Sequence, residues 1–470
     1  MRFLSNAFAN WGGGDAFTCP FGMLNQKQEN FLTMQIGLEN DSDVERTLAW
    51  MHHVAGPDLV RRIEAAKEHF SSACLPTAGS MLWPDPMDLL PPGDLPAGML
   101  LQAHALIRDR RFFDARLASR IVPFLKLIGG ALPQLHRVEG AEARAREFLN
   151  PRNDHPEGGL LELTTAARYL LEGYRLRFIP ELDRRTPDIE LLSDRGNAKI
   201  ECKRLRPGQY ELSETTKVRG MFALVCDLVA ARNSFVHLDV TFLAPLDSVP
   251  ASYLMEHMEC ALGENPIDYE WEDSFARGRI VQGDHQALSE DTADSSLLVG
   301  PKLFRLFTQT VVPSQRVLMG VRGTPHDLDP RYLDRFEAVA LCSWDTESPE
   351  SIEARARHVR SKLAEIDRQL EGCALGAAHI VADAERDANA ADLRRKRIQE
   401  QITGFRFDSN IGAITTHYLL THTAETKAWT MDETADYASR MPLPLLGDPR
   451  LFMKGEELGT EPAWRYPAPN

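Results

Sequence analysis

No stretch of this 470-residue chain approaches 18 uncharged apolar residues, and Met1-Arg-Phe-Leu-Ser-Asn has no apolar segment behind it. Neither a membrane span nor a signal peptide is expected. Cysteine is sparse and unpatterned: Cys19, Cys74, Cys202, Cys226, Cys260, Cys342 and Cys373 form an odd set without a Cys-x-x-Cys pair. That excludes a disulfide framework and suggests reduced thiols in a cytoplasmic protein. His52-His53, His257 near Cys260, and His417 with His422 lack the ligand count and spacing of a zinc site, so scattered surface or core imidazoles are expected. A Gly-x-Ser-x-Gly elbow, a Walker lysine loop and a dinucleotide fingerprint are all missing. Gly12-Gly-Gly14 lacks the following Gly-Lys-Ser/Thr and is expected to be a flexible turn. A net charge of −15 argues against a protein that coats nucleic acid through a general basic surface.

What is present is a hairpin with a charged edge: Pro187-Asp188-Ile-Glu-Leu-Leu, the turn Ser-Asp194-Arg-Gly-Asn197, then Ala198-Lys-Ile-Glu201-Cys202-Lys203. The two-residue period of a strand puts Glu201 and Lys203 on one face while Ile200 and Cys202 point to the other. The Gly and Asn allow a tight reversal, so Asp188 can lie beside Glu201. Clustered oxygen ligands suit a hard divalent cation such as Mg2+, with Mn2+ an alternative, and a neighbouring lysine can hold or deprotonate an attacking water. Upstream, Leu160, Leu163, Ala167, Leu170, Leu171 and Tyr174 form an apolar helical stripe with Glu162 at its border. Glu157 and Glu172 compete with Glu162 for a place at the site. Gly173 is expected to end that helix, and Tyr174–Ile179 to form a first strand.

At these residues the chain resembles the PD-(D/E)xK nuclease superfamily, which includes restriction endonucleases and Holliday-junction resolvases. The order of helix with Glu, strand, Pro-Asp hairpin, Glu-x-Lys strand, helix and strand is similar to that of the family. The resemblance implies that Asp188 and Glu201 bind metal with the Cys202 carbonyl and Glu162, and that Lys203 orients the nucleophilic water. It also implies DNA as substrate and a role in restriction, phage defence or repair. The chain supplies its own control: Glu425-Thr-Lys427 has the tripeptide without a Pro-Asp hairpin, and Pro57-Asp58 and Pro84-Asp85 have no Glu-x-Lys strand downstream. Residues 160–232 hold 13 basic and 11 acidic residues, a locally basic window in an acidic chain.

The expected fold class is α/β: a restriction-endonuclease-like core, its mixed central sheet flanked by helices, with a mainly helical N-terminal region. Residues 1–150 are expected to be helical over Val44–His53, Asp58–Phe70, Met99–Leu127 and Gly140–Leu149, interrupted by a proline-rich stretch at Pro84–Pro96. Arg108 to Arg116 is expected as a solvated helix face. The core should span 151–430 with an insertion around 248–314, followed by a C-terminal extension at 431–470. A helix is expected over Val218–Ala231, and Phe235–Leu243 is expected to be the next strand of the same sheet. Later strands are expected at Val317–Val321, Ala338–Cys342, Ala377–Ala382 and Ile411–Leu420, extending that sheet. Helices are expected from Ser348-Pro349 to about Leu370 and over Ala391–Ile402, with Arg394-Arg-Lys-Arg397 on an exposed face. The expected function is Mg2+-dependent DNA hydrolysis, with protein partners or a homodimer allowed. The rival is a catalytically inactive protein of the same fold that binds nucleic acid or a protein partner.

Overall fold

In the computed structural model the described residues are 32–36, 41–180, 186–194, 197–205, 208–308, 316–385, 387–423, 429–439 and 445–452. Gly12–Gly14, Glu425–Lys427 and the tip of the hairpin turn at 195–196 lie outside them.

The described chain opens with strand β1 (Leu32–Ile36), then runs through helices α1 (Ser42–Ala55), α2 (Asp58–Ala73), α3 (Leu95–Ile107), the short α4 (Ala115–Ala118), α5 (Val122–Leu135) and α6 (Ala141–Phe148). Asp41 caps α1 by accepting from the Asp43 and Val44 amides, and Asp94 caps α3 at the Ala97 amide. The single helix expected over Met99–Leu127 is broken into α3, α4 and α5. The Asp114 side chain accepts from the Leu117 amide and starts α4 afresh, and Pro123 sits in the first turn of α5.

Next come α7 (Pro156–Leu171), β2 (Arg175–Phe178), β3 (Ile189–Leu192), β4 (Ala198–Arg204) and the long α8 (Gln209–Arg232). Gly173, at φ +85°, closes the end of α7, a left-handed conformation that glycine adopts without penalty. Then follow β5 (Phe235–Phe242), α9 (Tyr253–Ala261), β6 (Asp268–Glu272), β7 (Ala276–Gln282), α10 (His285–Asp291), β8 (Leu297–Leu298), α11 (Pro301–Thr308), β9 (Val317–Pro325) and β10 (Tyr332–Thr346). The chain finishes with α12 (Pro349–Gln369), β11 (Gly376–Asp383), α13 (Ala388–Thr403), β12 (Ile411–Thr423) and β13 (Trp429–Ser439). Ser348 caps α12 through the Ser351 amide.

The strands form two mixed sheets flanked by helices. The first has the order β1-β13-β12-β11-β4-β3-β2; β2, β3 and β4 form an antiparallel meander, and β11 and β12 run parallel to β4. Its α7 face buries Ile200, Cys202, Ala377 and Val381 against the N-terminal helices. The opposite face buries Ala378, Ile380 and Ala382 against α12 and α13.

Phe235–Leu243 does not join this sheet. As β5 it pairs with β7 and β10 in the second sheet, of order β6-β7-β5-β10-β8 with β9 on β10. The place beside β4 is taken by β11, which arrives only after that entire second sheet. Val317–Val321 and Ala338–Cys342 likewise belong to the second sheet, whereas Ala377–Ala382 and Ile411–Leu420 extend the first. Residues 248–314 contribute β6, β7 and β8, and residues 431–439 lie in β13.

A buried ionic cluster lies where α8, α12 and α13 meet the ends of strands from both sheets. Arg355 on α12 reaches Glu214 on α8 at 2.6 Å and Glu385, just past β11, at 3.1 Å. Arg394 on α13 lies 2.5 Å from Glu385, and Arg316, just before β9, contacts both Glu385 and Asp345 of β10. Arg394 is therefore buried, not on the expected solvated face, and its neighbour Arg395 is tied to Asp436 at 2.6 Å. Arg397 keeps the exposed position, pairing locally with Glu400.

Candidate active site

Asp188 enters the site from the mouth of β3. Its amide donates to the Ile200 carbonyl at 3.1 Å, and its Oδ2 accepts from the Cys202 amide at 2.8 Å. The carboxylate is thus seated on the peptide that links Glu201 to Cys202. Glu201 is fully buried, and it shares a face of the sheet with its register partner Ala378, the face covered by α12. Two residues on, Lys203 brings Nζ to 2.5 Å from Glu201 Oε1 and keeps 18% of its side chain exposed. The ammonium stabilises the Glu201 charge by its proximity.

Glu162 comes from α7, on the other side of the sheet. Arg144 on α6 holds it, with Nε 2.8 Å from Glu162 Oε2, while other guanidinium nitrogens reach Glu147 and the Ile179 carbonyl. The competing acids are placed elsewhere: Glu172 pairs with Arg168 at 2.7 Å, and Glu157 faces Arg204 at 3.9 Å. Helix α7 is fixed to the sheet by a buried polar chain. Tyr169 Oη meets His379 Nε2 at 3.0 Å, His379 Nδ1 meets His417 Nε2 at 2.8 Å, and His417 Nδ1 meets Glu433 Oε1 at 2.5 Å. Glu433 also accepts from the Leu451 and Phe452 amides. These histidines are core imidazoles that position a helix.

The electrostatics centre on Asp188. Burial raises the pKa of Glu162 and of Glu201 well above the ordinary carboxylate value, and in each the Asp188 charge adds the next largest push. Arg144 opposes the shift in both, and Lys203 opposes it in Glu201. Burial disfavours the Lys203 ammonium, but Glu201 and Asp188 outweigh it and hold the lysine pKa above normal. Three carboxylates therefore share the site with two cations.

Whether a divalent cation fits is decided by the donors themselves. The oxygens are hard ligands, and the carboxylates raise one another's pKa, a repulsion that a cation would relieve. The side chains do not form a finished cage. Among the described residues, no group of three or more His, Cys, Asp or Glu is arranged to hold a metal ion. Asp188, Glu201 and Glu162 are oxygen donors of the kind a hard cation takes, but they are not gathered into one cage.

Three features escaped the sequence reading. Arg144 lies 18 residues before Glu162 in a separate helix, and nothing in a periodic pattern distinguishes it from a solvated arginine. Gln369, at the end of α12, donates from Nε2 to the Thr186 carbonyl at 3.1 Å, bracing the turn that carries Asp188. Arg204, directly after Lys203, is buried against Asp383 of β11, which Arg120 also contacts at 2.7 Å. Searches of family models, curated proteins and solved structures find no match to this chain.

Proposed function

We propose that this protein is a metal-dependent nuclease with a restriction-endonuclease-like core, hydrolysing phosphodiester bonds in DNA. The observation that carries the reading is the Asp188 carboxylate docked on the Cys202 amide, its charge felt by Glu162, Glu201 and Lys203. Topology supports it as far as α7 and the meander β2-β3-β4, while the strand beside β4 is β11 in place of the expected β5. Mg2+ bound by Asp188, Glu201, the Cys202 carbonyl and Glu162 would supply Lewis-acid stabilisation of charge on the phosphate and on the departing oxygen. Lys203 keeps a partly exposed ammonium that can orient water for in-line attack. Arg144 and Gln369 hold Glu162 and the Asp188 turn in place. The choice of DNA over RNA rests on the family resemblance alone.

The deciding experiment is cleavage of supercoiled plasmid with Mg2+ or Mn2+, with EDTA, and with Asp188→Asn and Lys203→Met. Metal-dependent nicking that both substitutions abolish in folded protein bears out the proposal; identical activity in wild type and variants would refute it.

A second reading, a catalytically inactive scaffold of the same fold, is favoured by one observation: Glu201 is wholly buried and already neutralised by Lys203. Titration of Mn2+ followed by electron paramagnetic resonance separates the two. A scaffold leaves the ion free, and a nuclease binds it in a manner dependent on Asp188.

A further inference from the structure

Away from the carboxylates, α1, α2, α3 and the turn Arg110–Phe112 surround a cavity of about 210 Å³. Its walls are apolar over Val60, Ile63, Leu101 and Ala105, with Phe112 at the side. On another wall His52 Nε2 and His104 Nε2 meet at 2.9 Å with their rings edge to face. The rim carries charges of both signs. Lys67 Nζ lies 5.4 Å and the Arg111 guanidinium 5.6 Å from the centre of the Phe112 ring, and Arg108 adds a third positive charge. The two lining acids are each engaged locally, Glu64 with Lys67 at 2.8 Å and Asp109 with Arg111 at 2.7 Å.

We propose that this cavity is a binding site for a nucleoside monophosphate, with the base in the apolar slot and the phosphate at the mouth beside Arg108 and Lys67. The volume is below the roughly 300–1,000 Å³ of drug-sized sites, so it admits one ring system and leaves a charged group outside. Phe112 closes one side of the slot with Lys67 and Arg111 against its ring, and the paired imidazoles present one donor and one acceptor edge. The electrostatics agree. Burial, then His52, Arg108 and Lys67, push the His104 pKa down to about 4 against an opposing Glu64, and burial and Arg108 lower that of His52. Of the lining cations Lys67 is paired with Glu64, and Arg108 stands beside neutral imidazoles, where a phosphate would offset its charge.

The test is isothermal titration calorimetry of the full chain with AMP, GMP, CMP and UMP, alongside adenosine and inorganic phosphate. At least one monophosphate should bind tenfold more tightly than inorganic phosphate, and the AMP signal should exceed that of adenosine. Arg108→Gln should weaken binding at least tenfold. Val60→Trp, at an exposed position on the slot, should abolish it. Three results would each overturn the proposal: no binding of any of the four at millimolar concentration, phosphate alone binding as tightly as the nucleotides, or affinity unchanged in both variants. Circular dichroism melts verify folding of the variants; should one unfold, the wild-type comparison of nucleotide with phosphate and adenosine still decides.

Discussion

Lys203 pairs with buried Glu201 and, on the proposed reading, orients water; substitution separates the two. Removing its charge leaves Glu201 buried beside Asp188 without its cation, a loss expected to cost roughly 3–5 kcal/mol for a broken buried pair. Glu201→Gln together with Lys203→Met removes both charges, so the double variant should be less destabilised than the sum of the singles; urea titrations of all four proteins measure the coupling. Cleavage should behave differently. Lys203→Met is expected to lower the plasmid-nicking rate by about 10²–10⁴-fold, and Glu201→Gln should not restore it. The alternation of Glu201, Cys202 and Lys203 was legible because a strand has a fixed period. Glu162 was legible as a border residue only, because what distinguishes it from Glu157 and Glu172 is which cation each one meets in three dimensions.

Element by element, the sequence revealed strand and helix identity more readily than partnership. Residues 235–243 alternate as a strand should, yet alternation describes the faces of a strand and says nothing about its neighbours, so membership of the second sheet was hidden. The break between α3 and α5 was hidden for another reason: the apolar pattern runs on while Asp114 and Pro123 restart the helix. Contacts between helices were equally silent. Gly129 on α5 lies against the backbone of α1, where an added methyl would collide with the Asp43 carbonyl and the Thr47 hydroxyl. Gly129→Ala is therefore expected to destabilise the protein by about 1–3 kcal/mol despite the helix-favouring nature of alanine, as thermal unfolding would show.

For the whole molecule, the ionic cluster around Glu385 ties the two sheets together and sets their response to acid. Burial opposes the charge on Glu385, but Arg316, Arg394 and Arg355 overcome it and lower its pKa from 4.5 to about 2. The sign follows from linkage. A depressed carboxylate contributes stability that is present above its unfolded pKa and is lost as pH falls through the folded value. Urea stability should therefore decline between pH 4.5 and about 2, and Glu385→Gln should flatten that part of the profile. At neutral pH the same substitution is expected to cost roughly 3–5 kcal/mol, because three buried guanidinium groups would lose a shared partner. Among the described residues no helix is long and apolar enough to cross a membrane.

The parallel pairing of β4 with β11 has a temporal consequence. Arg204 and the Val381 carbonyl it contacts are 177 residues apart in the chain. A ribosome adding about 5–20 residues per second needs on the order of 10–35 s to cover that interval. Throughout that time Glu201 and Lys203 exist on an unfinished edge, without their neighbouring strand or the helix above it. If the proposed nuclease reading holds, any fragment ending before β11 should be inert in the plasmid assay.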